Sequence, residues 1–270
     1  MTLRYPILLI IIFLTMMIVG VLTRDRQELI YVDDTLQMTP VEDSFSPEID
    51  KINAASRKIR SLRCSVDMTI QKNVSFRAHG SLHYQHDKNF RLIASRRTTE
   101  LDVGSNDSLF WFWSRRMRPP NLYCCTHEGL TRSGLKTPFN PLWMMESMNI
   151  KGIDAKEAKV FQYGKNKMIR QLRVSSLNEL VIKETLIDPE RSLILGHYLY
   201  DQNKRIIASS EVTSFQNVQG HILPKSLRII WHDEDVQMTW VLKAVSINVP
   251  INGSTWQPPP NKQRVNLGSS

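Results

Sequence analysis

The chain has little cysteine, three residues in 270, and no C-x-x-C pair among them. Three thiols cannot all pair within one chain and do not make a disulfide scaffold. The spacing used by zinc ribbons and thioredoxin-like redox sites is missing. A single bridge from Cys64 to Cys124 or Cys125 stays open for an exported protein, and small apolar residues on strands are the simpler reading. A Gly-rich phosphate loop, H-E-x-x-H and G-x-S-x-G are also lacking, which removes the motif-marked NTPases, zinc proteases and serine hydrolases. There is no internal repeat and no strand–helix alternation of the kind a parallel sheet needs. The seven histidines make no ligand set. His79 and His83 share one face of one predicted strand, but at about 3.3 Å per residue they stand roughly 13 Å apart, too far to hold one metal without other partners. Neither a metal nor a cofactor is expected.

Long hydrophobic runs are scarce as well, with one exception. From Tyr5 to Thr23 there are 19 residues without charge, 15 of them apolar, behind Arg4 and the amino terminus. A positive start before such a run marks export, and the run is also about the 20 residues that cross a bilayer. Ile18, Val19, Val21, Leu22 and Thr23 offer a peptidase poor small-residue choices, so residues 1–23 read as a signal anchor, with a cleaved signal peptide as the alternative. Val21 stands where a lipoprotein signal would need cysteine. The remainder is about 38 % apolar, an ordinary globular value. The formal charge is +9. Arg96-Arg97, Arg115-Arg116 and Arg118 cluster near Trp111 and Trp113, but no nucleic-acid module fits and an exported chain rarely meets nucleic acid. An anionic membrane surface suits that charge better, and a solvated basic face suits it equally.

Residues 24–45 are acidic and irregular and read as a linker. Ser46-Pro47-Glu48 then gives an N-cap, a first-turn proline and an acid. Ile49, Ile52, Ala55 or Ser56, Ile59 and Leu62 form a helical stripe. From Leu62 the period becomes two. Leu62, Cys64, Val66, Met68 and Ile70 alternate with polar residues, Lys72-Asn73 turns the chain, and Val74 to Tyr84 alternates again. This predicts an antiparallel hairpin with one apolar and one wet face. Phe90, Leu92 and Ala94 continue it after Asp87-Lys88. Turn chemistry at 188–191 and 201–204, and the acidic tip Asp233-Glu234-Asp235, separate later runs. About ten to twelve strands follow, joined mostly by short turns into a meander. Between them Asn140-Pro141 starts a short, Met-rich helix through Met148, apolar nearly all round. The tail from 259 to 270 reads as extended and flexible.

The most informative stretch is Leu109-Phe-Trp-Phe-Trp113, which puts large rings on both faces of a strand. One face can pack on a helix; the other faces a core or a cavity. A sandwich core would explain it without function. A concave sheet lined by Phe110, Phe112, Trp231, Met238 and Trp240 and lidded by the Met-rich helix would instead bind something greasy and variable in shape, such as acyl chains.

The helix near Ile49–Ile59, the hairpin, Lys88-Asn-Phe-Arg-Leu-Ile-Ala94 and Thr99-Glu-Leu-Asp-Val-Gly-Ser-Asn-Asp-Ser-Leu-Phe-Trp-Phe-Trp113 together resemble lipoprotein-localisation factors of the LolA/LolB type. Asp188-Pro189, the Leu223–Trp231 strand and the Val245-Ser-Ile-Asn248 ending fit the same pattern over about residues 46–258. The resemblance implies a mainly β (α+β) fold: a curved antiparallel half-barrel of about eleven strands, helices covering its concave face, preceded here by one N-terminal hydrophobic helix. It implies non-enzymatic binding of lipid or lipoprotein acyl chains on the periplasmic side of a bacterial membrane, or, alternatively, an envelope module that binds a protein partner. The candidate lining is Met68, Phe76, Phe90 and Leu92 from the early strands, and Phe110 and Phe112 from the aromatic run. The helix would add Trp143, Met144, Met145 and Met148, and the late strands Trp231, Met238 and Trp240. Two features depart from the family. The turn in which LolA-type carriers place a lid-controlling arginine reads Gln85-His86-Asp87-Lys88 here, and the lipidated cysteine of LolB-type receptors is missing.

Overall fold

The computed structural model describes residues 38–40, 47–73, 75–86, 88–129, 141–155, 158–175 and 179–267. The expected N-terminal hydrophobic helix and most of the expected linker lie outside these residues. Among the described residues no helix is long and apolar enough to cross a membrane.

Period-two alternation dominates the chain, and strands dominate the structure. The first meander comprises β2 (Ser61–Gln71), β3 (Ser75–Gln85), β4 (Asn89–Ser95), β5 (Thr99–Ser105), β6 (Leu109–Ser114) and β7 (Leu122–Thr126). The second comprises β8 (Lys159–Tyr163), β9 (Asn166–Val174), β10 (Leu180–Asp188), β11 (Leu193–Tyr200), β12 (Ile206–Val218), β13 (His221–Trp231) and β14 (Val236–Ile247). The two meanders join where β14 pairs antiparallel with β2, making one open sheet. Two short strands finish its edges: β1 (Thr39–Pro40) on β8, and β15 (Arg264–Asn266) parallel to β7.

The described residues thus form fifteen strands, not about eleven. Two of the extra strands are only two and three residues long, below any periodicity signal. Others, β7 to β9, fall where the apolar alternation is broken. Residues 264–266, which the sequence places in a flexible tail, are one of these added strands.

Turns follow local chemistry. Gln219-Gly220 links β12 to β13 with φ of 52° and 83°, the left-handed pair that a two-residue hairpin turn requires. The acidic tip is a short 3-10 turn (His232–Glu234) closed by Asp235 at φ 50°. Helix α1 (Pro47–Arg57) begins on its proline, and α2 (Pro141–Ser147) does too.

The topology dictates where the helices lie. β7 and β8 sit near opposite flanks of the sheet, so the chain between them must cross a sheet face. It crosses the apolar one and carries α2 with it. The chain from β1 to β2 likewise runs from the edge to the middle and carries α1. Inner-face residues from β2 to β6 and from β11 to β14 belong to one cluster, which requires the sheet to curve around them.

Candidate functional site

Inner-facing side chains are fixed by register. Met68 pairs with Trp240, Ile70 with Met238, Leu82 with Leu92 and Val103 with Phe112, so each apolar residue faces a like partner one strand away. Twelve of the thirteen candidate residues are buried members of one cluster: Met68, Phe90, Leu92, Phe110, Phe112, Trp143, Met144, Met145, Met148, Trp231, Met238 and Trp240. Phe76 is half-buried against the same cluster. Helix α2 supplies three of the twelve, with Met148 just past its end, and its Trp143 ring lies 6.3 Å from that of Trp231. The structure therefore places the candidate set in one cluster, with Phe76 at its margin.

A second, polar seam holds the helix to the sheet, and the sequence reading missed it. On β10 the inward positions are Val181, Lys183, Thr185 and Ile187, and on β11 they include His197 and Leu199. Lys183 Nζ reaches Glu146 Oε2 of α2 at 2.7 Å, with the lysine side chain only 7 % exposed. His197 Nε2 lies 3.0 Å from the Glu146 carbonyl oxygen, and its Nδ1 lies 3.0 Å from Thr185 Oγ1. A carbonyl can only accept, so Nε2 carries the proton and Nδ1 accepts from the threonine hydroxyl. Burial, then the charge of Lys183, push His197 down to about 3 against the opposing pull of Glu146. Burial alone would raise the Glu146 carboxyl, but Lys183 and His197 more than offset it and the carboxyl lies below its usual value.

The seam continues beyond α2. Asn149 donates to the Ile194 carbonyl at 2.8 Å, and Ser56 of α1 donates to the Ile150 carbonyl at 2.9 Å. Asn53 clasps Ile153 twice, donating to its carbonyl at 2.8 Å and accepting from its amide at 2.7 Å. Gln171 donates to the Asp154 carbonyl at 2.5 Å. A charged residue at the inward phase of a strand, as in Val181-Ile-Lys-Glu-Thr-Leu-Ile187, is the sequence signal that could have marked it.

The outer face of the aromatic run is covered by chain rather than by a helix. Trp111 is fully buried and packs with Trp113, Leu122 and Cys124. Gly104 stands opposite it, and a Cβ there would overlap the indole ring, so this position has to be glycine. Trp111 Nε1 donates to Asp102 at 3.0 Å, and Arg91 Nη2 meets the same carboxylate at 2.7 Å. Arg91 also donates to the Thr255 carbonyl at 2.8 Å, and Lys262 sits 4.4 Å over Trp113. The segment after β14 thus crosses the outer face to reach β7. Its Trp256 indole donates to Gln85 at the end of β3.

The other sequence candidates stay apart. His79 is exposed and bonds Asp67 at 2.6 Å, while His83 is half-buried one turn along β3. Cys64, Cys124 and Cys125 are free and buried, with no bridge. Cys124 and Cys125 point to opposite faces, into the outer and inner clusters. Burial pushes the Cys64 thiol up to about 12 and the Cys125 thiol to about 11, which leaves both unreactive. Of the clustered arginines, Arg96 and Arg116 stack over Phe76 at 5.9 and 4.5 Å. Among the described residues no group of three or more His, Cys, Asp or Glu is placed to hold a metal.

No protein-family model matches the sequence, and no curated protein matches it. Solved structures do. A DUF1329 family protein from Desulfovibrio piger superposes with a TM-score of 0.56 at 10 % identity, over 81 % of this chain and 98 % of that one. An outer membrane lipoprotein-sorting protein domain from Vibrio parahaemolyticus gives 0.54 at 7 %, over 78 % and 94 %. A LolA superfamily protein from Nitrosomonas europaea gives 0.53 at 9 %, over 78 % and 97 %. At such identities a likeness carries architecture only, and that architecture is the one the sequence pattern resembles: the chain has a LolA/LolB-like fold.

Proposed function

We propose that the protein binds lipid or lipoprotein acyl chains without covalent chemistry, on the periplasmic side of a bacterial envelope. The observation that carries this reading is the joint burial of a Met- and Trp-rich inner sheet face under a Met-rich helix that is held down by a polar seam. Methionine and aromatic walls adapt to chains of varied length. Each acyl methylene taken from water contributes about 0.8 kcal/mol, enough to drive capture of a long chain. The kinship in fold with a lipoprotein-sorting domain supports the same reading. The uncharged run at 5–23 supports export, with membrane tethering if it is retained.

The test is titration of the full chain with a fluorescent fatty acid, together with mass spectrometry of lipid that co-purifies with it. Saturable binding displaced by unlabelled fatty acid is expected; absence of both binding and co-purified lipid would sink the proposal. A protein-partner reading has its own observation. Leu172, Val174 and Leu180 stand 57 %, 58 % and 44 % exposed on the outer face of β9–β10, with Val174 directly opposite Leu180. Under that reading Leu172→Asp abolishes capture of an envelope protein and leaves fatty-acid binding intact.

A further inference from the structure

Four buried polar groups meet between α2 and the sheet without a hydrogen-bond partner: the indole nitrogens of Trp143 and Trp231 and the hydroxyls of Ser147 and Ser210. Their residues are 5 %, 5 %, 2 % and 1 % exposed. They converge by construction. Trp143 and Ser147 are four apart on α2 and so share a helix face. The Trp143 and Trp231 rings are 6.3 Å apart. Ser210 pairs with Ile229, two residues before Trp231, so it points to the inner face as Trp231's diagonal neighbour, on the order of 7 Å away. Ser210 also pairs with His197, whose ring holds the backbone of Glu146, next to Ser147.

An indole nitrogen can only donate, and a buried donor left unmade is costly. Two indoles and two hydroxyls at one interface stand against a single unpaired buried acceptor beside α2, Asn149 Oδ1, and so call for a further acceptor. Because the polar seam lies on one side of these groups and the Met-, Trp-, Phe- and Leu-rich cluster on the other, that acceptor belongs to an amphiphile.

We infer that the seam between α2 and β12–β13 receives the polar end of an acyl ligand. Trp143, Trp231, Ser147 and Ser210 donate to its carboxylate or ester-carbonyl oxygens, and the chain lies along the apolar cluster toward β2–β6. This rests on the acyl-binding reading above and adds to it the ligand's polar chemistry and its orientation.

The experiment titrates the full chain with three probes of equal length: pyrenedecanoic acid, its methyl ester and pyrenedecane. It compares the native protein with Trp143→Phe/Trp231→Phe and with Ser147→Ala/Ser210→Ala, which keep ring or volume and remove only donors. Acid or ester binding is expected to weaken at least about tenfold in the Trp double variant and less in the Ser variant, since each removed donor loses a bond to an oxygen acceptor. Pyrenedecane binding should hold, and the melting temperature of the ligand-free protein should hold or rise, since the unmade donors are gone. Loss confined to the acid identifies a carboxylate; loss for acid and ester alike identifies a carbonyl. If both variants bind all three probes as the native protein does, or lose all three equally, the inference is overturned while acyl binding stands. If native protein binds none of the probes, acyl binding itself fails and takes the inference with it.

Discussion

The inner face of the sheet is two surfaces. Along β2–β6 and β13–β14 it is apolar at nearly every inward position, and packing alone closes it. Along β9–β11 the same face carries Gln171, Lys183, Thr185 and His197, and hydrogen bonds and an ion pair close it. The first surface is indifferent to small shifts of its partners, because dispersion and burial have no preferred direction. The second fixes α2 in one position, because each bond is directional and each unmade group is expensive in a dry interior. The helix thus has an adaptable side toward the apolar wall and an indexed side toward the polar seam.

That contrast can be broken from either end. The largest effect should come from the apolar wall: Trp240→Ala, at a fully buried site, is expected to lower unfolding free energy by about 4 kcal/mol in urea denaturation. Next comes Lys183→Met, which strands the Glu146 carboxylate and should cost about 3 kcal/mol. Combining it with Glu146→Leu should recover most of that loss, a non-additivity absent when Trp240→Ala is paired with a distant wall residue. If Lys183→Met and Glu146→Leu instead simply add, the ion pair does not hold the helix.

Acid should separate the two surfaces further. His197 is held neutral in the fold, down to about 3, whereas the unfolded chain takes up the proton below about 6.5. Its contribution is therefore complete above about pH 6.5 and lost as pH falls toward about 3. Glu146, also lowered, acts in the same direction at more acidic pH. His197→Gln should flatten the decline in urea midpoint between about pH 7 and about pH 4.5, and an unchanged slope would remove this histidine from the account. The smallest effect belongs outside both surfaces: Leu172→Ser, at an exposed position, should change stability by less than about 0.5 kcal/mol.

The same contrast explains what could be read from residues alone. β2 to β6 were legible because their inward residues are apolar and their outward ones polar, a clean period of two. β7 to β9 were not, because the alternation is broken there; Gln171, for example, occupies an inward position of β9. The thirteen candidate residues were chosen by type and phase; twelve are buried in one cluster and Phe76 lies at its margin. The seam was missed because a lysine, a glutamate and a histidine 51 residues apart announce no pairing until the chain crosses from β7 to β8. The cover over Trp111 was missed for a related reason. Its partners Thr255 and Lys262 are brought there only by the long return of the chain after β14.

That return ends in β15, three residues laid against β7. A sheet this wide is exposed to other molecules at its margins, where unpaired backbone invites strands from neighbouring chains. Here one margin is finished by two residues and the other by three. The longer strands thus keep their backbone paired within the sheet, and β15 leaves only a three-residue edge beyond β7.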